Sequence, residues 1–187
     1  QEVVNSIVEF QPDWVGYTSY TANLSAIAVI SKQVKDRLPG IRQVVGGVHA
    51  TLDPGTLDKL PDVDYAIQRE GEQAILQLID GENPEKIAGV TSRTVFGLQG
   101  WGDSPVIRNI DELPFPERDK FWGLTDEEKK GVDVSYICSI RGCPYMCTYC
   151  ASPFHWKRQN TQFRSPESVL HEMEHLRENY WTDVRLD

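Results

Sequence analysis

The sequence predicts an α/β protein: a doubly wound parallel sheet with helices on its faces, followed by a second unit of strand, long loop, helix and strand. Three observations carry this expectation. Short apolar runs alternate with helix-patterned stretches through residues 1–93, glycines or hydroxyls stand where each run ends, and a fresh strand pattern appears after an interval broken by glycine and proline.

Val3, Val4, Ile7 and Val8 form a helical stripe, and Pro12-Asp13 leads into the apolar run 14–18, which has the length and composition of a buried strand. A helix is expected over 25–38, where Ile27, Ile30, Val34 and Leu38 recur at helical spacing and Pro39-Gly40 stops it. The cycle then repeats. Residues 41–45 read as a strand ended by Gly46-Gly47, 54–60 as a short helix, 64–67 as a strand, and 71–79 as a helix carrying Ile75, Leu76 and Ile79. Alternation of this kind calls for parallel strands joined by helical crossovers.

Parallel sheets bind ligands at the carboxyl ends of their strands. Thr18 and Ser19 follow the first strand, Gly46, Gly47 and His49 the second, and Glu70 and Gly71 the third. Glycine lets backbone approach a ligand, while hydroxyls and an imidazole supply hydrogen bonds. Two readings of these residues stand: a ligand-facing edge, or tight strand-to-helix turns.

Glycines and prolines from Gly97 to Pro116 make 94–130 the expected linker, with 111–116 extended and a polar helical patch over 126–130. A second domain, 131–187, opens with a strand over 134–138. Ser165 and Pro166 then start a helix whose buried stripe is Val169, Met173, Leu176 and Tyr180, and Val184 to Asp187 read as an apolar strand. The chain starts at Gln1 and ends inside that run, so it reads as a piece of a longer protein.

The formal net charge is -9, with the acidic residues scattered, so nothing in the sequence resembles the cationic footprint of a nucleic-acid binder. No apolar stretch is long enough to span a bilayer and no export signal opens the chain; the expectation is a soluble, cytoplasmic protein.

Three of the four cysteines fall within eight residues, Cys143, Cys147 and Cys150 in a C-x-x-x-C-x-x-C run. Neighbours this close make a poor disulfide framework, whereas reduced thiolates at this spacing can wrap a compact inorganic core. Three thiolates on a four-iron cluster leave one iron open to a substrate. Cys138, five residues upstream, is expected as a small buried core residue, although as a fourth ligand it would turn the site into an electron carrier. A zinc site of Cys143, Cys147, Cys150 and His155 is the alternative from another class. His171 and His175, four apart on the expected helix, read as a solvated face.

The C-x-x-x-C-x-aromatic-C pattern, with Tyr149 as the aromatic, resembles the signature of the radical S-adenosylmethionine (SAM) superfamily. The Gly-Gly-Val-His-Ala-Thr, Arg-Glu-Gly-Glu, Leu-Pro-Phe-Pro-Glu-Arg-Asp and Arg-Gly-Cys-Pro segments resemble the branch with an N-terminal cobalamin-binding domain. The resemblance implies a Rossmann-like cobalamin-binding domain over 1–93, without its first strand, and the opening of a partial βα (TIM-like) barrel over 131–187. It implies that Cys143, Cys147 and Cys150 hold a 4Fe-4S cluster, that SAM chelates the fourth iron, and that Tyr149 borders the adenine. Arg164 would reach the cofactor or pair with Glu167 or Glu172; Arg141 would balance the cluster's charge or lie at the surface; Phe154 to Arg158 would cover the cofactor or cap the loop. Thr18, Ser19, Gly46, Gly47, His49, Glu70 and Gly71 would face cobalamin, although the Asp-x-His-x-x-Gly motif that often supplies an axial histidine does not occur. The implied reaction is cobalamin-dependent methyl transfer, with oxidative cyclisation or carbon–carbon coupling as the alternative, on a small-molecule or lipid-like substrate. The implied electron donor is a flavodoxin or ferredoxin.

Overall fold

The computed structural model describes residues 1–100, 102–118, 125, 127, 134–156, 161–180 and 183–186. They divide into two units, Gln1–Val106 and Ile107–Asp187, each with its own core.

In the first unit the N-terminal stripe folds as α1 (Glu2–Phe10), followed by β1 (Trp14–Thr18), α2 (Leu24–Arg37), β2 (Arg42–Gly46), α3 (Val48–Leu52), α4 (Thr56–Lys59), β3 (Tyr65–Ile67), α5 (Glu72–Ile79), β4 (Val90–Thr94) and β5 (Gly97–Gly100). The sheet order is β1-β2-β3-β4-β5. β1, β2 and β3 are parallel. Strands buried on both faces read as continuous apolar runs, and neighbouring residues of β2 show why. Val45 packs with Ile27, Leu57, Leu60 and Val63 on one face, and Val44 with Ala74, Leu78 and Ile87 on the other. α2 and α4 thus cover one side and α5 the other. A third cluster, Val4, Val15, Val34 and Ile41, seats α1 against α2 and β1.

Two features differ from the sequence expectation. Residues 48–52, to which the sequence assigned no element, form the helical turn α3, because Ser19 and Gly47 supply acceptors for its first amides. β4 and β5 are antiparallel additions, and β5 lies where glycines broke the periodicity. A hairpin sets its pairing by its turn, so the Thr94-to-Gly97 corner suffices without an alternating apolar pattern.

Tyr17 on β1 donates its hydroxyl to Gln43 Oε1 at 2.5 Å, and Gln43, fully buried, donates to Ser31 O and Asp62 O. Burial pushes the Tyr17 phenol up to about 12. Its folded pKa is raised, so the stability it contributes is fully present below the ordinary phenol value of 10.0 and is lost as pH climbs through about 12. Tyr17→Phe leaves the Gln43 oxygen without its donor inside the sheet. We expect a loss of about 1–2 kcal/mol by urea unfolding at pH 7, and disappearance of the highest-pH phenolate step in an absorbance titration.

In the second unit, β6 (Val134–Ile137) pairs parallel with β9 (Asp183–Leu186), and the short β7 (Ile140–Arg141) pairs antiparallel with β8 (Gln162–Phe163). α6 (Ser152–His155) follows the cysteine loop, and α7 (Pro166–Tyr180) connects β8 to β9. Ser165 caps α7 as its sequence position predicts, its hydroxyl accepting from Ser168 N at 3.1 Å. Val169 and Leu176, with Met173 beside them, bury Ile137. The side chain of Tyr180, the helical patch over 126–130 apart from Glu127, and the positions of Lys157 and Arg158 lie outside the described residues. Ile110–Glu112 is a single 3-10 turn with Ile110 buried, so this stretch of the expected linker is anchored in the second unit's own packing.

Candidate functional site

The carboxyl edge of the first unit's sheet gathers the residues its sequence pointed to. Thr18 and Gly46 are register partners at the ends of β1 and β2. Ser19 donates its amide and its hydroxyl to Gly46 O at 2.8 and 2.7 Å, and the same hydroxyl accepts from Ala50 N at 3.2 Å. Ser19 is fully buried and joins the first loop to the second. Gly47 has φ 95°, and a Cβ there would sit 3.0 Å from both Ser19 N and Ser19 O. Only glycine lets these two loops touch.

His49 lies inside this turn. Its Nδ1 is 2.9 Å from Thr21 Oγ1, and its Nε2 is 3.3 Å from Asp53 Oδ2 without the alignment of a hydrogen bond. Lys59 beside Asp53 holds that carboxyl below the usual carboxylate range, helped by the Gly55 amide and by His49, so an anion faces the imidazole at neutral pH. Thr51 ties the second loop to the third: its hydroxyl donates to Gly47 O at 3.0 Å and accepts from Arg69 N at 2.8 Å. Arg69 adopts φ 61° and donates Nε to Asp103 at 2.6 Å. Glu70 is buried and Gly71 is the N-cap of α5.

The three loops therefore form one stitched edge. Beside it opens a cavity of about 550 Å³ between the 54–58 turn, Gln68, Thr91, Gly100, Gly102 and Asp103. Sequence reading did not single out Asp103; a lone aspartate in a glycine-rich stretch carries no periodic signal.

In the second unit Cys143, Cys147 and Cys150 follow β7 on one loop. All are free thiols, Cys147 exposed and the other two half-buried. Cys150 N donates to Cys147 O at 3.1 Å, and Ser152 N to Cys150 Sγ at 3.4 Å. Tyr149 is 92% exposed on the same loop. Among the described residues no group of three or more His, Cys, Asp or Glu side chains is arranged to hold a metal ion, whether as the three cysteines alone or with His155. The donor chemistry nonetheless fits an iron–sulfur cluster, since three reduced, solvent-reachable thiols stand within eight residues. Loops of this kind commonly gather on binding their metal.

Cys138 departs from expectation. It is exposed, with its thiol donating to Ile140 O at 3.0 Å. It shares the strand face of Tyr136, which is also exposed, while α7 covers the opposite face through Ser135 and Ile137. Arg164 takes one of the two roles left open for it: its guanidinium pairs with Glu172 and also donates to Ser168. Arg141, on β7, is half-buried beside a cavity of about 180 Å³. His171 and His175 are both exposed, and His155 packs edge-on against Trp156. No helix among the described residues is long and apolar enough to cross a membrane.

Comparison with known proteins gives this arrangement a context. The model of the B12 binding domain matches residues 1–79. An uncharacterised methyltransferase of Pyrococcus horikoshii is 27% identical over 184 residues, spanning 96% of this chain and 40% of the relative. The anaerobic magnesium-protoporphyrin IX monomethyl ester cyclase of Cereibacter sphaeroides is 28% identical over 190 residues, spanning 94% of this chain and 30% of the relative. The chain thus spans well under half the length of these relatives. Among solved structures, the radical SAM methyltransferase TsrM from Kitasatospora setae, with cobalamin and a [4Fe-4S] cluster bound, superposes with a TM-score of 0.69 at 16% identity, over 100% of this chain and 39% of that one. This last likeness is one of fold. The first 79 residues thus match a B12-binding domain, and relatives at 27–28% identity, by name a methyltransferase and a cyclase, match along nearly the whole chain.

Proposed function

We propose that this chain supplies the cobalamin-binding domain and the cluster-binding loop of a radical SAM methyltransferase. Cys143, Cys147 and Cys150 would hold a 4Fe-4S cluster, and the stitched edge from Thr18 to Gly71, with its neighbouring cavity, would seat cobalamin. When bound, a reduced cluster of this kind would supply one electron for reductive cleavage of SAM, and cobalamin would supply a methyl carrier. The chain's own work is placement. Ser19, Gly47 and Thr51 fix the loops that a corrinoid would lie on, and Tyr149 stands exposed on the cluster loop where an adenine could stack.

The observation that carries this reading is the loop of three free thiols, followed in the chain by α7 and then by β9, which lies parallel to β6, in a protein whose first residues are a B12-binding domain. A second reading, oxidative cyclisation, is favoured by the likeness to the Cereibacter cyclase. The substrate would be a small or lipid-like molecule, and the electron donor a flavodoxin or ferredoxin. The test is anaerobic purification of the full-length protein with iron, sulfide and corrinoid quantified, then reduction in the presence of SAM. About four irons and about one corrinoid per chain, with release of 5'-deoxyadenosine, are expected. A colourless protein with one zinc per chain would sink the reading.

A further inference from the structure

In the second unit two arginines from separate segments meet on one carboxylate. Glu172, on α7, is 1% exposed. Arg118 donates Nη2 to its Oε1 at 2.7 Å, and Arg164 donates to its Oε2. Both guanidiniums also grip the end of β6: Arg118 donates to Tyr136 O at 2.9 Å, and Arg164 to Cys138 O at 3.4 Å, while the Arg164 amide donates to Ser139 O at 3.0 Å. Phe115 lies under Arg164, 5.5 Å from ring centre to guanidinium carbon. Asp111 accepts the Ser165 amide at 3.1 Å; hydrogen bonding to the Ser165 side chain, helped by that amide, holds its carboxyl below the usual range.

A buried ion triad is weak evidence for stability, because desolvating three charges offsets much of their attraction. Its geometry says more. Among the described residues, every backbone acceptor that the triad reaches beyond its own segments belongs to Tyr136, Cys138 or Ser139, shortly before the cysteine loop. An apolar trio could fill the same space, but could not bind carbonyls at the open end of a strand.

We propose that Glu172 is a positioning residue for the cysteine loop: it orients Arg118 and Arg164 onto the carbonyl end of β6, so that Cys143, Cys147 and Cys150 close on their cofactor in a single geometry. The inference rests on the cluster reading given above. It assigns the Leu-Pro-Phe-Pro-Glu-Arg segment a part in that site, through Arg118.

The test uses the full-length protein carrying Glu172→Gln, with Glu167→Gln, an exposed change on the same helix, as control. Hydrogen exchange is read at residues 139–141 and 162–164, and electron paramagnetic resonance is read on the reduced cluster with and without SAM. Exchange at these amides faster by at least about tenfold, together with a heterogeneous cluster signal on adding SAM, is expected of Glu172→Gln alone. A folded variant with wild-type exchange and one homogeneous signal would overturn the proposal. Should Glu172→Gln fail to fold, Arg118→Lys carries the same test, since a lysine keeps the charge but cannot grip Tyr136 O and Glu172 together as a planar fork does. If the wild-type protein holds no cluster, the reading of function fails by itself, and the exchange measurement still decides whether Glu172 fixes the loop.

Discussion

Cys147→Ser in the full-length protein is expected to reduce bound iron to about a tenth of wild type or less and to bring 5'-deoxyadenosine release below about a hundredth. The reasoning starts from the ligand. Iron–sulfur clusters take thiolate, and a serine hydroxyl is neither as soft nor as readily ionised. Losing a group that merely supports a metal ligand commonly costs 10- to 100-fold, so losing one of three ligands should cost more. The fold should not notice the change, because Cys147 is exposed and its side chain has no part in any core cluster. The melting temperature of the metal-free protein should therefore stay within about 2 °C of wild type. Cys138→Ala is the matched control. Among the described residues its thiol donates to Ile140 O alone, so iron should be retained; iron lost equally from both variants would point to a four-cysteine electron carrier. Retention of iron in Cys147→Ser would remove the basis of the functional reading.

What the sequence made legible follows from how each signal arises. Parallel strands buried on both faces leave continuous apolar runs, so β1, β2 and β3 were visible, and Ser165-Pro166 marked the start of α7. The thiol run was legible because its spacing is itself the chemistry. Residues whose role depends on a partner far along the chain were not. Thr51 joins two loops through a hydroxyl bound to Arg69 N, 18 residues on, and Arg118 meets Glu172 across 54 residues. A single polar residue has no period, so nothing local distinguishes such a partner from a solvated side chain. Sequence left Arg164 two roles, cofactor or carboxylate, because both need the same cation in the same place. Cys138 was misjudged for a related reason: a small residue at a strand's end reads as core unless the face covered by α7 is known.

Gly89→Ala should be the most damaging single methyl addition in the first unit. Gly89 has φ 84°, and a Cβ there would lie 1.9 Å from Ser104 Oγ, 2.7 Å from Ser104 N and 2.8 Å from Ser104 Cα. Two of these three atoms are backbone, so no side-chain rotation relieves the contact, and the 102–104 segment must move. Left-handed strain of about 1–2 kcal/mol adds to overpacking of similar size, for a loss of about 3 kcal/mol. In a unit of this size that lowers the melting temperature by roughly 15 °C. Gly81→Ala isolates the first contribution, because Gly81 has φ 82° with open space around it, and should cost only about 1 kcal/mol. The consequence for the site follows from Gln68, whose amide donates to Gly89 O at 2.9 Å and whose carbonyl accepts from Ser104 Oγ at 2.7 Å. Moving Ser104 displaces Asp103 with it, and Arg69 loses the carboxylate that holds it at 2.6 Å. Gln68 and Asp103 both wall the 550 Å³ cavity. Corrinoid affinity, read by absorbance titration at a temperature where Gly89→Ala is still folded, should fall at least about tenfold, while Gly81→Ala should bind as wild type does. Equal affinities in the two variants would mean that this cavity takes no part in holding cobalamin.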